Sequence, residues 1–313
     1  MTAYAPVLDV LNLSKLYKNG RGVKNMSFRL AQGDVFGLLG SNGSGKTTAI
    51  RSICGLCPFL GDVRLFGESV ADNPREALRR VGAIVEAPAF YANLTAEQNL
   101  ALATKYYGMS KSSAAEMIDW ALDVVRLTGN RRERVDRFSL GMKARLGLAL
   151  CFISAPGFME LDEPLNGLDI EGMVEVRNII LSQASVSGAV FLISSHLASE
   201  IEKTCNRIGV MDEGELLETA YMGDALRDYG SVEAYYLNVL QRHRRQAQSA
   251  APPQWANAAA GADSGAGAGS GAGSGVSADA GASNGAIANT RPDAGSADNA
   301  GGTDGADSAG GEL

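Results

Sequence analysis

The 313-residue chain carries a net charge of −7, and six of those charges belong to residues 246–313, where seven acids face a single base, Arg291. The rest is close to neutral, so the electrostatic footprint of a nucleic-acid binder is missing and no nucleic-acid partner is expected. No stretch approaches the ~20 apolar residues that cross a bilayer, and the first ten residues lack the basic-then-apolar order of a secretory leader. With four cysteines suited to a reducing compartment, a cytoplasmic protein is expected.

Residues 7–13 and 26–30 read as strands, the second closing in a turn at Gln32-Gly33-Asp34. Residues 35–39 form a short continuous apolar run, the pattern of a strand buried on both faces. A glycine-rich loop follows, and then a helix over 47–56, whose apolar stripe is expected to hold Cys54 and Cys57 as small buried groups. Residues 87–155 change character, with helical patterns at 96–107, 112–127 and 141–153 and no convincing strand. Strand signals return at 157–161, 189–194 and 207–211, which makes a parallel α/β core interrupted by a helical insertion. From 245 onward Ala, Gly, Ser, Asp and Asn dominate; such a segment buries too little surface to offset its ordering entropy and is expected to be disordered.

The strongest chemical signal is Gly40-Ser41-Asn42-Gly43-Ser44-Gly45-Lys46-Thr47, which satisfies G-x-x-x-x-G-K-[ST]. Its glycines let successive N–H groups face an anion, and the following helix adds the positive end of its dipole. The loop from Gly40 to Thr48 is therefore expected to bind ATP, with Lys46 reaching the β- and γ-phosphates and the Thr47 hydroxyl binding Mg²⁺. Downstream, Phe158-Met159-Glu160-Leu161-Asp162-Glu163 reads as a strand ending in two carboxylates. Asp162 suits a second Mg²⁺ contact, and Glu163 is placed to orient or deprotonate an attacking water. Glu160 shares a strand face with Asp162, where an unpaired buried carboxylate is costly. It is expected to pair with a base or to lie at a wetter edge.

The order of the remaining motifs resembles the nucleotide-binding subunit of ABC transporters over residues 5–240. Phe138-Ser139-Leu140-Gly141-Met142 looks like the signature motif at a helix start. Leu161-Asp162-Glu163-Pro164-Leu165-Asn166-Gly167-Leu168-Asp169 resembles the joined Walker B and D-loop, and Ser194-Ser195-His196 the switch histidine. Tyr17 sits where the family places an aromatic that stacks on adenine. Two positions depart from the common pattern: Leu140 replaces a glycine, while Glu86 stands in the Q-loop's place, where it would act on Mg²⁺ or water as an acceptor only. Glu86, with the flanking Ala89-Phe90-Tyr91-Ala92-Asn93-Leu94-Thr95, looks like the lantibiotic- and bacitracin-type export branch.

The resemblance implies a P-loop (RecA-like) ABC ATPase core with a parallel sheet, an antiparallel β subdomain and a helical insertion. The core's first part would occupy 1–86, the helical subdomain 87–155, the core's second part 156–222 and a C-terminal helical extension 223–244, with the disordered tail at 245–313. It further implies a head-to-tail dimer, of like or paired ATPase subunits, sandwiching two ATP molecules. Lys46, Thr47, Glu86, Asp162, Glu163 and His196 of one subunit would face Ser139 and Gly141 of the other. A separate transmembrane permease, engaged at the inner face of the cell membrane, would export a peptide antibiotic or drug. Export of another substrate, a role in membrane physiology, or a soluble ABC ATPase acting on ribosomes or DNA are the alternatives.

Overall fold

A computed structural model describes residues 6–86 and 88–250, all within the first of the two units, Met1–Pro253 and Gln254–Leu313, into which the chain divides. The elements in chain order begin with β1 (Leu8–Leu16), β2 (Gly22–Leu30), β3 (Val35–Gly40) and α1 (Lys46–Ile53). Next come β4 (Leu60–Leu65), β5 (Glu68–Ser69), α2 (Pro74–Ala77) and β6 (Val81–Ile84). The helical insertion follows as α3 (Ala96–Tyr106), α4 (Lys111–Val124) and α5 (Leu140–Phe152). The chain then returns through β7 (Phe158–Asp162), α6 (Ile170–Ser187), β8 (Val190–Ser195), α7 (Ala198–Thr204) and β9 (Arg207–Asp212). It continues with β10 (Glu215–Tyr221), α8 (Met222–Tyr229) and α9 (Val232–Ala250).

Six strands form the main sheet in the order β10-β9-β3-β8-β7-β6, parallel throughout except for the antiparallel edge strand β10. The smaller sheet, β2-β1-β4-β5, is antiparallel. In β3, β7 and β8 every residue is buried, as expected of central strands covered on both faces. Side chains alternate between the faces. Phe36, Leu38, Phe158, Val190 and Leu192 pack with α1 and the antiparallel sheet, while Leu39, Met159, Leu161, Phe191 and Ile193 pack with the helical insertion, α6 and α7.

The helices of the insertion start where their side chains cap them. Thr95 and Gln98 form a reciprocal capping box at α3, and Ser110 accepts from the Ser113 N–H at α4. Ser139 accepts from the Met142 N–H at 3.2 Å and so caps α5, the helix of the signature motif.

Four expectations are corrected. Helix α1 ends at Ile53, not near residue 56, because Gly55 turns the chain into a left-handed conformation at φ 66°. Cys54 is buried at that helix end, whereas Cys57 lies beyond it, partly exposed and beside the Ser52 hydroxyl. Glu160 has neither a base nor a wet edge: it is 0% exposed and faces α1, where the Cys54 thiol is its partner. At the other end of the chain, α9 runs through Ala250, past the expected boundary at 245. The expected disorder of the tail from residue 251 lies outside the described residues.

Candidate functional site

The site gathers at the C-terminal ends of β3, β7 and β8, the edge of a parallel sheet where ligands characteristically bind. Between Gly40 and Lys46 the chain folds into a tight loop, with Gly43 at φ 85° and Gly45 at φ 107°. A Cβ at Gly45 would lie 2.5 Å from the Gly22 carbonyl oxygen, so a side chain there is excluded by space as well as by backbone angle. Ser41, Asn42 and Gly43 are exposed, Ser44 is buried, and Thr47 and Thr48 open the first turn of α1.

Lys46 is buried, and its ammonium curls back into the loop, donating to the Gly40 carbonyl at 2.8 Å and the Ser41 carbonyl at 3.2 Å. It also lies 3.5 Å from a Glu163 carboxylate oxygen. The other Glu163 oxygen is 2.7 Å from His196 Nδ1, so this carboxylate bridges the lysine and the histidine. Glu163 takes a left-handed backbone conformation at φ 51°, uncommon for any residue but glycine. Its N–H is held by the Ser194 hydroxyl at 3.0 Å, and the same hydroxyl donates to Asp162 at 2.5 Å. One hydroxyl near the end of β8 thus ties the Glu163 backbone to the Asp162 carboxylate.

A cavity of about 360 Å³ joins the glycine-rich loop, Lys46, Thr47, Glu163 and Asn166 to Tyr17, Asn19 and Arg21. Tyr17, just past the end of β1, is 41% exposed and presents its ring beside the Lys15 ammonium. A second cavity of about 420 Å³ brings Glu86 together with Asp162 and Glu163, walled by Pro88, Phe90, Leu140 and Leu148. Glu86 is itself in a left-handed conformation at φ 66° and pairs with Arg51 of α1. Ser139 is exposed at the start of α5, and neither it nor Gly141 lines the cavity of the glycine-rich loop.

The donor set fits a magnesium-bound nucleotide. Glycines that leave no room for a side chain, a helix N-terminus and a buried lysine suit the phosphates, and the Thr47 hydroxyl with Asp162 suits a hard cation that prefers oxygen ligands. Sequence reasoning had singled out Lys46, Thr47, Asp162, Glu163 and His196, and the structure brings them together. It had not assigned roles to Ser194, Arg51 or Asn166. Ser194 falls within the switch motif, where a hydroxyl near the end of an apolar strand and close to a histidine is the available signal.

Residues 23–166 match the family model described as ABC transporter. The chain is 44% identical over 213 residues to the bacitracin transport ATP-binding protein BcrA of Bacillus licheniformis, covering 68% of this chain and 69% of that protein. It is 37% identical to the lantibiotic transport ATP-binding protein SrtF of Streptococcus pyogenes, covering 69% of this chain and 92% of that one. A solved structure of the ATP-binding subunit of an ABC transporter superposes with a TM-score of 0.67 at 28% identity, over 75% of this chain and 99% of the other. With the phosphate loop, the paired carboxylates and the histidine on one sheet edge, the chain belongs to the ATP-binding subunits of the ABC transporter family.

Proposed function

We propose that this chain hydrolyses ATP to drive export of a peptide antibiotic or drug through a separate transmembrane subunit at the inner face of the cell membrane. The observation that carries the hydrolytic part is the Glu163 carboxylate, held between Lys46 and His196 and next to Asp162. On this reading Lys46 leaves the carbonyls of Gly40 and Ser41 to take up phosphate oxygens, and Tyr17 stacks on the adenine. Thr47 and Asp162 hold Mg²⁺, with Glu86 reaching the metal or the water through the cavity it shares with Asp162. When bound, the ion neutralises charge on the phosphate oxygens. Glu163 takes the proton of the attacking water, and His196, hydrogen-bonded to it, fixes the carboxylate's orientation and faces the γ-phosphate.

The exposed cap of α5 supports a shared site. Ser139 and Gly141 lie outside the loop's own cavity, so in this reading they close over the nucleotide of a second ATPase subunit arranged head to tail. No described helix is long and apolar enough to cross a membrane, which fits a role for a separate permease. The helical insertion would meet that permease. The choice of cargo rests on the likeness to the bacitracin and lantibiotic transport proteins.

The substitution Glu163→Gln is the direct test. Loss of the base should slow steady hydrolysis by about 10²-fold or more while leaving ATP binding in place. Wild-type turnover in that variant, on protein free of contaminating ATPases, would remove Glu163 from the mechanism.

A further inference from the structure

Glu86 stands where the helical insertion leaves the main sheet. Strand β6 runs parallel to β7 with Ile84 opposite Leu161, so the chain carrying Glu86 leaves the sheet beside the chain carrying Asp162 and Glu163. Three carboxylates therefore meet at one cavity of about 420 Å³. Each has its own partner. Glu163 lies between Lys46 and His196, Asp162 accepts from the Ser194 hydroxyl, and Glu86 pairs with the Arg51 guanidinium. Arg51 is not among the residues that line the cavity.

The place of Arg51 on α1 gives this pair its meaning. Thr47 stands in the first turn of that helix and Arg51 in the last, four positions on. Residues four apart share one helix face, here about 6 Å apart along the axis. The guanidinium that holds Glu86 thus sits one turn beyond the hydroxyl suited to Mg²⁺, on the same face. A carboxylate neutralised by an arginine has less charge to offer a cation, so the two compete. A neutral glutamine in the place of Glu86 would offer Arg51 no ion pair, so the competition is a property of the carboxylate. Two features suit a contact that opens. Glu86 holds its left-handed backbone conformation, φ 66°, which a residue other than glycine keeps only where its surroundings impose it. The Arg51 and Glu86 side chains remain 37% and 63% exposed, so water and salt screen the pair and a divalent cation can break it.

We infer that Arg51 is a positioning residue: it parks the Glu86 carboxylate on α1 in competition with Mg²⁺, so this ion pair helps set the metal dependence of nucleotide binding. When Glu86 turns to the metal, the root of the helical insertion is released from the phosphate-loop helix. This inference rests on the reading of Glu86 as a group that acts on Mg²⁺.

The test titrates Mg²⁺ into full-length chains mixed with a fluorescent ATP analogue and reads the concentration that half-completes the fluorescence change. Thermal unfolding checks that each chain is folded. Arg51→Met keeps an unbranched, helix-compatible stem and removes the charge. It should lower the half-saturating Mg²⁺ concentration about threefold, the size of a half-exposed ion pair, while Arg51→Lys stays near wild type. Glu86→Ala should raise that concentration, and in the Glu86→Ala chain Arg51→Met should change nothing further. An unchanged or raised value in Arg51→Met would overturn the latch. So would a threefold fall that persists in the Glu86→Ala chain, because the charge of Arg51 would then act without Glu86. Wild-type Mg²⁺ dependence in Glu86→Ala would overturn the metal reading of Glu86 itself, and the latch with it.

Discussion

Glu160 places a carboxyl group in the middle of β7, where the sheet offers it no water. Burial pushes its pKa well above the usual carboxylate range, the nearby Asp162 charge acts in the same direction, and the Cys54 thiol opposes them only in part. Its second oxygen has no hydrogen-bond partner. Folded, the group therefore keeps its proton; unfolded, it releases it above about pH 4. A folded pKa raised above the unfolded one gives stability that is complete below the unfolded pKa and is lost as pH rises toward the folded value. Replacing Glu160 with Met, which is similar in size and does not titrate, removes that loss. Urea unfolding should find Glu160→Met more stable than wild type at pH 8, with an advantage that shrinks toward pH 5 by about 1 kcal/mol per pH unit. An advantage independent of pH would show that Glu160 is not held neutral. Sequence alone foresaw the cost of this carboxyl but not its resolution, because the thiol that meets it lies 106 positions away in sequence. The pairing of Arg51 with Glu86 was hidden for the same reason.

At the level of elements, legibility followed burial. Strands β3, β7 and β8 were read from sequence almost to the residue because both faces are covered and their apolar runs are unbroken. Strands β4 and β10 escaped because exposed or half-exposed positions interrupt their apolar pattern, and β5 is only two residues long. The helices of the insertion were legible through periodicity, and the structure adds the Thr and Ser caps at their starts. The cap of α3 also anchors its neighbourhood, since Thr95 bridges to Arg134 and the Val135 N–H donates to the Leu94 carbonyl at 3.0 Å. These contacts attach the segment before the signature helix to the start of α3. Thr95→Ala should therefore destabilise the fold by about 1 kcal/mol, seen as a lowered denaturation midpoint, while ATP affinity, set some distance away, stays unchanged. A wild-type midpoint would mean the capping box contributes nothing to stability.

Across the whole molecule, one question is how many chains build one hydrolytic site. The phosphate loop, Asp162, Glu163 and His196 share one sheet edge, while Ser139 caps a helix outside the loop's own cavity. If a second chain supplies Ser139 over the nucleotide, two inactive variants should rescue one another. Lys46→Ala removes the phosphate cation. Ser139→Asp keeps an effective helix cap but sets a negative charge toward phosphate. Neither variant should hydrolyse ATP alone. In a mixed dimer, however, one site combines both lesions and the other combines the intact Lys46 of one chain with the intact Ser139 of its partner. With random pairing and independent sites, an equal mixture should recover about a quarter of wild-type activity per chain. A site built wholly within one chain would stay inactive at every mixing ratio, because each chain would keep its own lesion. The cap-preserving substitution is what gives the comparison force: a chain folded like wild type, inactive alone and rescued in the mixture, leaves the subunit interface as the place where Ser139 acts.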